Sequence, residues 1–212
     1  MCGIVGAAAE RNVVGILLEG LQRLEYRGYD SAGLTVLDAD QNIKRYRAVG
    51  KVQALKDTCR TESPKGFIGI AHTRWATHGK PTQNNAHPHV SNDTVSLVHN
   101  GIIENHETLR QELTAQGYCF ESETDTEVMA HLIHHLVAAC GDFRQGVNDA
   151  LTRLEGAYAI AVQHRDFPDR LIGARQGSPL VVGLGIGENF IASDPQALRP
   201  VTDRFIYLEE GE

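Results

Sequence analysis

A chain of 212 residues with a formal charge of −7 is long enough for one sizeable core and too acidic to favour a nucleic-acid backbone as partner. No stretch supplies the ~18 consecutive apolar residues of a membrane span, and the first residues lack the layout of a secretory signal, so a cytosolic protein is expected. The four cysteines, Cys2, Cys59, Cys119 and Cys140, stand far apart with no CxxC pair. That spacing argues against a structural zinc site and a disulfide framework, and for reduced thiols.

In chain order, Ile4 and Val5 suit a first core strand. Residues 12–24 then place Val13, Ile16, Leu17, Leu21 and Leu24 on one face of an amphipathic helix. Residues 32–37 and 43–48 predict a strand pair around an Asp-Ala-Asp-Gln turn. Short strands are expected at 66–71 and 94–98. Helices follow at 104–116 and 143–155, each ended by a glycine, and at 125–139 behind a Thr124-x-x-Glu127 capping box. Strands return at 157–162, 171–174, 180–183, 189–192 and 204–208. Strands, then helices, then strands, without βαβ alternation, predict an α+β fold with antiparallel sheets between helices, layered α/β/β/α.

Cys2 is the first candidate for chemistry. If Met1 is removed, its free α-amine (reference pKa ~7.7–8.0) lies close to the thiol (~8.5) and can take the thiol proton near neutral pH. With Met1 retained that nitrogen is an amide, and on position alone a cysteine before a core strand favours simple burial, so a catalytic role needs partners further along the chain. The irregular segment from Thr73 to His89 is rich in polar and aromatic groups and is the expected substrate wall. Arg74 is suited to gripping a carboxylate in a two-point fork, with Thr77 and His78 adding hydrogen bonds, although an ordinary salt bridge would also account for Arg74. His99-Asn100-Gly101 is first a tight-turn signal, yet such a turn also aims the Asn100 amide and the Gly101 N–H at one point, as an oxyanion hole requires. Asp125 fits a helix start and equally a counter-ion for an ammonium group. His131, His134 and His135, with His87-Pro88-His89, invite a metal, but no HExxH pattern supports one. No metal and no other cofactor is expected.

Six blocks carry a resemblance: residues 1–6 (Met-Cys-Gly-Ile-Val-Gly), 23–33 with Arg27-Gly28-Tyr29-Asp30-Ser31-Ala32-Gly33, 72–79 with Arg74-Trp75-Ala76-Thr77-His78-Gly79, 85–89, 99–106 and 122–127. In that order they resemble the class II glutamine amidotransferases, a family with the N-terminal-nucleophile hydrolase fold, over essentially the whole chain. The resemblance implies one glutaminase domain over residues 1–212. It implies that Cys2 attacks the side-chain amide of L-glutamine, giving L-glutamate and ammonia through a thioester. Asn100 and Gly101 would then hold the oxyanion, Arg74, Thr77 and His78 the α-carboxylate, and Asp125 the α-ammonium. Arg27 would lie beside the nucleophile, and Trp75 would belong to a loop closing over glutamine, unless it is a half-buried anchor.

The blocks around Arg27 and Arg74 look most like the sugar branch of the family, whose members continue into sugar-isomerase domains, deliver ammonia to fructose 6-phosphate and form homo-oligomers. Those domains are absent from this chain, so fructose 6-phosphate is implied as a partner only through them. Residues between His89 and His99 match less clearly than their flanks. A glutaminase serving another acceptor, or a non-catalytic glutamine-binding module, stays open at this point.

Overall fold

The computed structural model describes residues 2–75 and 82–212. Strand β1 (Gly3–Ala9) leads into helix α1 (Val14–Leu24), then β2 (Ser31–Leu37) and β3 (Ile43–Val49) form the expected hairpin. Helix α2 (Val52–Glu62) precedes β4 (Ile68–Arg74), β5 (His89–Ser91) and β6 (Val95–Ile103). Helices α3 (His106–Ala115), α4 (Asp125–Cys140) and α5 (Phe143–Leu151) come next. The chain closes with β7 (Gly156–His164), β8 (Leu171–Gln176), β9 (Val181–Leu184), β10 (Glu188–Ala192) and β11 (Phe205–Tyr207).

Among the described residues one sheet runs β11-β9-β10-β1-β4-β2-β3 and the other β5-β6-β7-β8, with antiparallel strand pairs in both. The period of two in the strands separates three cores. On β1, Val5 and Ala7 face α1 and α2, while Ile4 faces the second sheet. On β7, Tyr158, Ile160 and Val162 face α3 to α5, whereas the small Ala159 and Ala161 meet Ile4, Ile70 and Val98 between the sheets. The small inward residues of β7 make room for the large inward residues Ile4 and Ile70 of the other sheet, and the result is the α/β/β/α sandwich.

Several local expectations need correction, among them the end of α5, which stops at Leu151 while Gly156 opens β7 instead of ending the helix. Helix α2 was not anticipated: Val52, Leu55 and Cys59 are its only buried residues, a stripe sparse among Lys, Asp, Thr and Arg. The Asn100-Gly101 dipeptide is not a turn. It lies inside β6, with Gly101 opposite Tyr158 at φ 137°, and a Cβ there would come within 1.9 Å of the Ala157 carbonyl oxygen. Glycine is therefore required by backbone conformation and close approach inside a strand. The capping box is only half formed. Thr124 Oγ1 accepts from the Glu127 N–H at 3.3 Å, but the Glu127 carboxylate reaches past Thr124 to the N–H groups of Glu121 and Ser122.

Candidate active site

Cys2 stands one residue before β1, the strand held by β4 on one side and β10 on the other. The register puts Gly3 opposite Thr73, so the end of β1 carries Cys2 to the end of β4, where Arg74 and Trp75 emerge. The Trp75 N–H lies 3.3 Å from Cys2 Sγ and donates to it. Burial pushes the thiol above its ordinary value; the Trp75 N–H and the Arg74 charge pull it back down, and Asp30 pushes it up.

Asn100 comes from the second sheet. Its Nδ2 donates to the Cys2 carbonyl at 3.1 Å, and its Oδ1 lies 3.0 Å from His72 Nε2. Gly101 follows directly, and both residues line a cavity of about 220 Å³ together with Cys2, Trp75 and Arg27. Cys2, Arg74, Gly101 and Asp125 also line an adjoining concavity, along with His99 and Thr126. Sheet packing thus brings together an arginine and an aspartate that lie 51 positions apart in the sequence, beside one thiol. Arg74 is 4% exposed. Asp125 is the first residue of α4, and its Oδ2 accepts the Ile103 N–H at 2.9 Å.

Arg27 also reaches the thiol's surroundings, from the short 3₁₀ turn Glu25–Arg27. Its guanidinium forms an ion pair with Asp194 and donates from Nε to the Tyr26 hydroxyl at 3.0 Å. Trp75 is about half exposed, its ring edge-on to Tyr29 with centroids 5.4 Å apart; what it offers the thiol is its backbone, the N–H donating to Sγ and the carbonyl accepting from it at 3.6 Å. Thr77 and His78 lie outside the described residues.

The sequence reading assigned no part to a layer of buried histidines beneath the site. His72, His87, His89 and His99 are all at most 6% exposed. Thr126 Oγ1 lies 2.7 Å from His87 Nε2 and 3.1 Å from His99 Nδ1, and Thr124 Oγ1 lies 3.0 Å from His89 Nε2. Burial lowers every one of these imidazoles, His72 to about 3, so they are neutral near pH 7. His87 to His89 therefore act as neutral hydrogen-bonding groups. Among the described residues no group of three potential ligands is placed to hold a metal.

A larger concavity of about 790 Å³ lies away from Cys2, beside Arg45, Tyr118, Glu127 and His131. Two of its polar groups are engaged within the fold: His131 bridges the Ser91 hydroxyl and the Cys119 carbonyl, and Glu127 holds the turn before α4. The chemistry concentrates at Cys2 instead.

A thiol at the tip of a central strand, in a two-sheet sandwich between helices, is the arrangement of the N-terminal-nucleophile amidotransferases. Residues 72–200 match the family described as "Glutamine amidotransferase domain", and the chain belongs to that family. It is 63% identical over all 212 residues to glutamine–fructose-6-phosphate aminotransferase [isomerizing] of Idiomarina loihiensis and 60% identical to the Pseudomonas aeruginosa protein of the same name. In each case the chain spans 35% of the relative's length. Among solved structures, glutamine phosphoribosylpyrophosphate amidotransferase from B. subtilis superposes with a TM-score of 0.84 at 26% identity, over 99% of this chain and 46% of that one. A glutamine aminotransferase class-II domain protein from Silicibacter pomeroyi shares the fold at 14% identity with a TM-score of 0.64, over 99% of this chain and 92% of that one. No helix of the described residues is long and apolar enough to cross a membrane.

Proposed function

We propose that residues 1–212, once Met1 is removed, hydrolyse L-glutamine to L-glutamate and ammonia. The α-amine of Cys2 takes the thiol proton, and the sulfur attacks the side-chain amide carbon. A C–S bond forms as the carbonyl π-bond opens to an oxyanion, held by a side-chain N–H of Asn100 and the backbone N–H of Gly101. Collapse breaks the C–N bond, the α-ammonium protonates the departing nitrogen, and ammonia leaves a γ-glutamyl thioester. Water, deprotonated by the same amine, then releases glutamate and restores the thiol. Arg74, with Thr77 and His78, binds the α-carboxylate and Asp125 the α-ammonium. Arg27, already neutralised by Asp194, shapes the cavity beside the thiol, and Trp75 borders both concavities.

The observation that carries this reading is that Cys2, Arg74, Gly101 and Asp125 line one concavity: a nucleophile sharing a cleft with a cation and an anion suits an amino acid clamped by both charged ends. The identity to the fructose-6-phosphate aminotransferases supports ammonia delivery to fructose 6-phosphate, held by sugar-isomerase domains outside this chain, within a homo-oligomer. A cytosolic setting fits four cysteines that are all unpaired.

The test is to confirm Met1 removal by intact mass, incubate the chain with glutamine and follow glutamate and ammonia beside Cys2→Ala. Equimolar products from the wild type and none from the variant are expected. Hydrolysis surviving in Cys2→Ala, or absent from the processed wild type, overturns the proposal.

A further inference from the structure

We propose that His72, through a single tautomer, is the positioning residue that orients the Asn100 carboxamide; its catalytic consequence rests on the glutaminase reading above. Hydrogen-bond bookkeeping forces the assignment. The Cys2 carbonyl oxygen only accepts, so the Asn100 atom 3.1 Å from it is the NH₂ group. The carboxamide oxygen is thereby turned to His72 Nε2, 3.0 Å away. The same Nε2 lies 3.1 Å from the His99 carbonyl oxygen, a second pure acceptor. An atom facing two acceptors must donate, so Nε2 carries the hydrogen and Nδ1 the lone pair. Consistently, Nδ1 is buried with no hydrogen-bond partner among the described residues.

The ring is held in that state. His72 is fully buried at the middle of the sheet, opposite Gly33 on β2 and Ile4 on β1, and its ring lies against that of His87 with centroids 4.2 Å apart. A charged imidazole is disfavoured there by desolvation and by the Arg74 charge, so the tautomer persists throughout the working pH range. One N–H of Asn100 is spent on the Cys2 carbonyl, and the other stays on the same nitrogen, next to the thiol, for a developing oxyanion. Were the amide to flip, its oxygen would face the Cys2 carbonyl and repel the oxyanion. His72 adds its own penalty to that flip, because its N–H would then meet an NH₂.

The experiment compares His72→Leu, which removes the donor, with His72→Gln, whose amide NH₂ reaches the same distance along the side chain. In the Met1-free chain, His72→Leu should lower kcat by about 10- to 100-fold with KM for glutamine within about threefold, and His72→Gln should recover most of the loss. In an Asn100→Ala background His72→Leu should cost little further, since the two act as one unit. Equal losses in Leu and Gln, a KM-only effect, or full additivity with Asn100→Ala overturns the proposal. A readout independent of turnover is ¹⁵N NMR of the wild-type imidazole: an Nε2–H tautomer unchanged from about pH 5 to about pH 9 is expected. An Nδ1–H tautomer, or titration near the ordinary histidine value, overturns the assignment even if the chain hydrolyses no glutamine; inactivity of the wild type alone refutes only the glutaminase reading.

Discussion

The Asn100 carboxamide donates to the carbonyl of Cys2 at 3.1 Å, across 98 positions of sequence and from one sheet to the other. The proposed oxyanion donor is thus anchored to the residue whose product it would stabilise, and the sheets cannot shift against each other without separating the two.

Asn100→Ala should lower kcat by about 10²–10³-fold with a small change in KM, because the lost donor acts on charge that develops only after attack. Asn100→Asp should be at least as damaging, since a carboxylate accepts only and sets a negative charge beside the thiol. Steady-state kinetics on both variants checks this, and a KM-dominated loss would argue against the assignment.

Asp125 holds two roles that substitutions separate. Its carboxylate accepts the Ile103 N–H and, in the proposed function, faces the substrate ammonium. Asp125→Asn keeps an acceptor and removes the charge, so KM should rise at least tenfold with the melting temperature nearly unchanged. Asp125→Ala should weaken binding as much and also cost about 1 kcal/mol of stability. Calorimetric melting beside kinetics distinguishes the two effects.

Acid should unfold the chain through its buried imidazoles. His72, His87, His89 and His99 all have folded values below the ordinary 6.5, so below about pH 6.5 the unfolded state binds protons that the native state refuses. Stability is then full above the unfolded value and falls as pH drops, by at most ~1.4 kcal/mol per pH unit for each group. His72, with a folded value of about 3, and His87 and His89, held well below 6.5 by burial, carry most of this effect. Urea midpoints should be flat above about pH 7 and fall steeply toward pH 5; a flat profile down to pH 5 would contradict the neutral-histidine layer.

Two glycines with positive φ should respond differently to alanine. At Gly101 the added Cβ meets the Ala157 carbonyl at 1.9 Å, whereas at Gly117, φ 92°, it meets nothing within 4 Å. Gly117→Ala should cost about 1 kcal/mol from backbone conformation alone. Gly101→Ala should cost more than about 3 kcal/mol and abolish hydrolysis. Denaturant unfolding of the pair checks the difference.

Much of this site is legible in the sequence because its residue types are chemically specific: a cysteine at position 2, an Asn-Gly pair and an arginine followed by tryptophan. Their convergence is not legible, since it depends on Gly3 pairing with Thr73 and on the two sheets packing through Ala159 and Ala161. The Asn-Gly dipeptide misleads locally. Turn chemistry predicts a reversal there, but the ladder to β7 runs straight through, and the positive φ of Gly101 answers to the Ala157 carbonyl instead. Helix α2 escapes notice because three buried residues on one face are a weak periodic signal. The part played by His72 depends on which acceptors surround one ring nitrogen, and nothing in a string of letters encodes that.

Cys2 is synthesised before both neighbours of the strand it leads into, which sits between Ile68–Arg74 and Glu188–Ala192. Synthesis and assembly therefore run in opposite order: the strand after the thiol cannot gain both its neighbours until Glu188–Ala192 has been made. During that interval its end of the chain stays open to processing, and a ribosome stalled before Glu188 releases a fragment whose first strand lacks one neighbour and whose sulfur is unarmed.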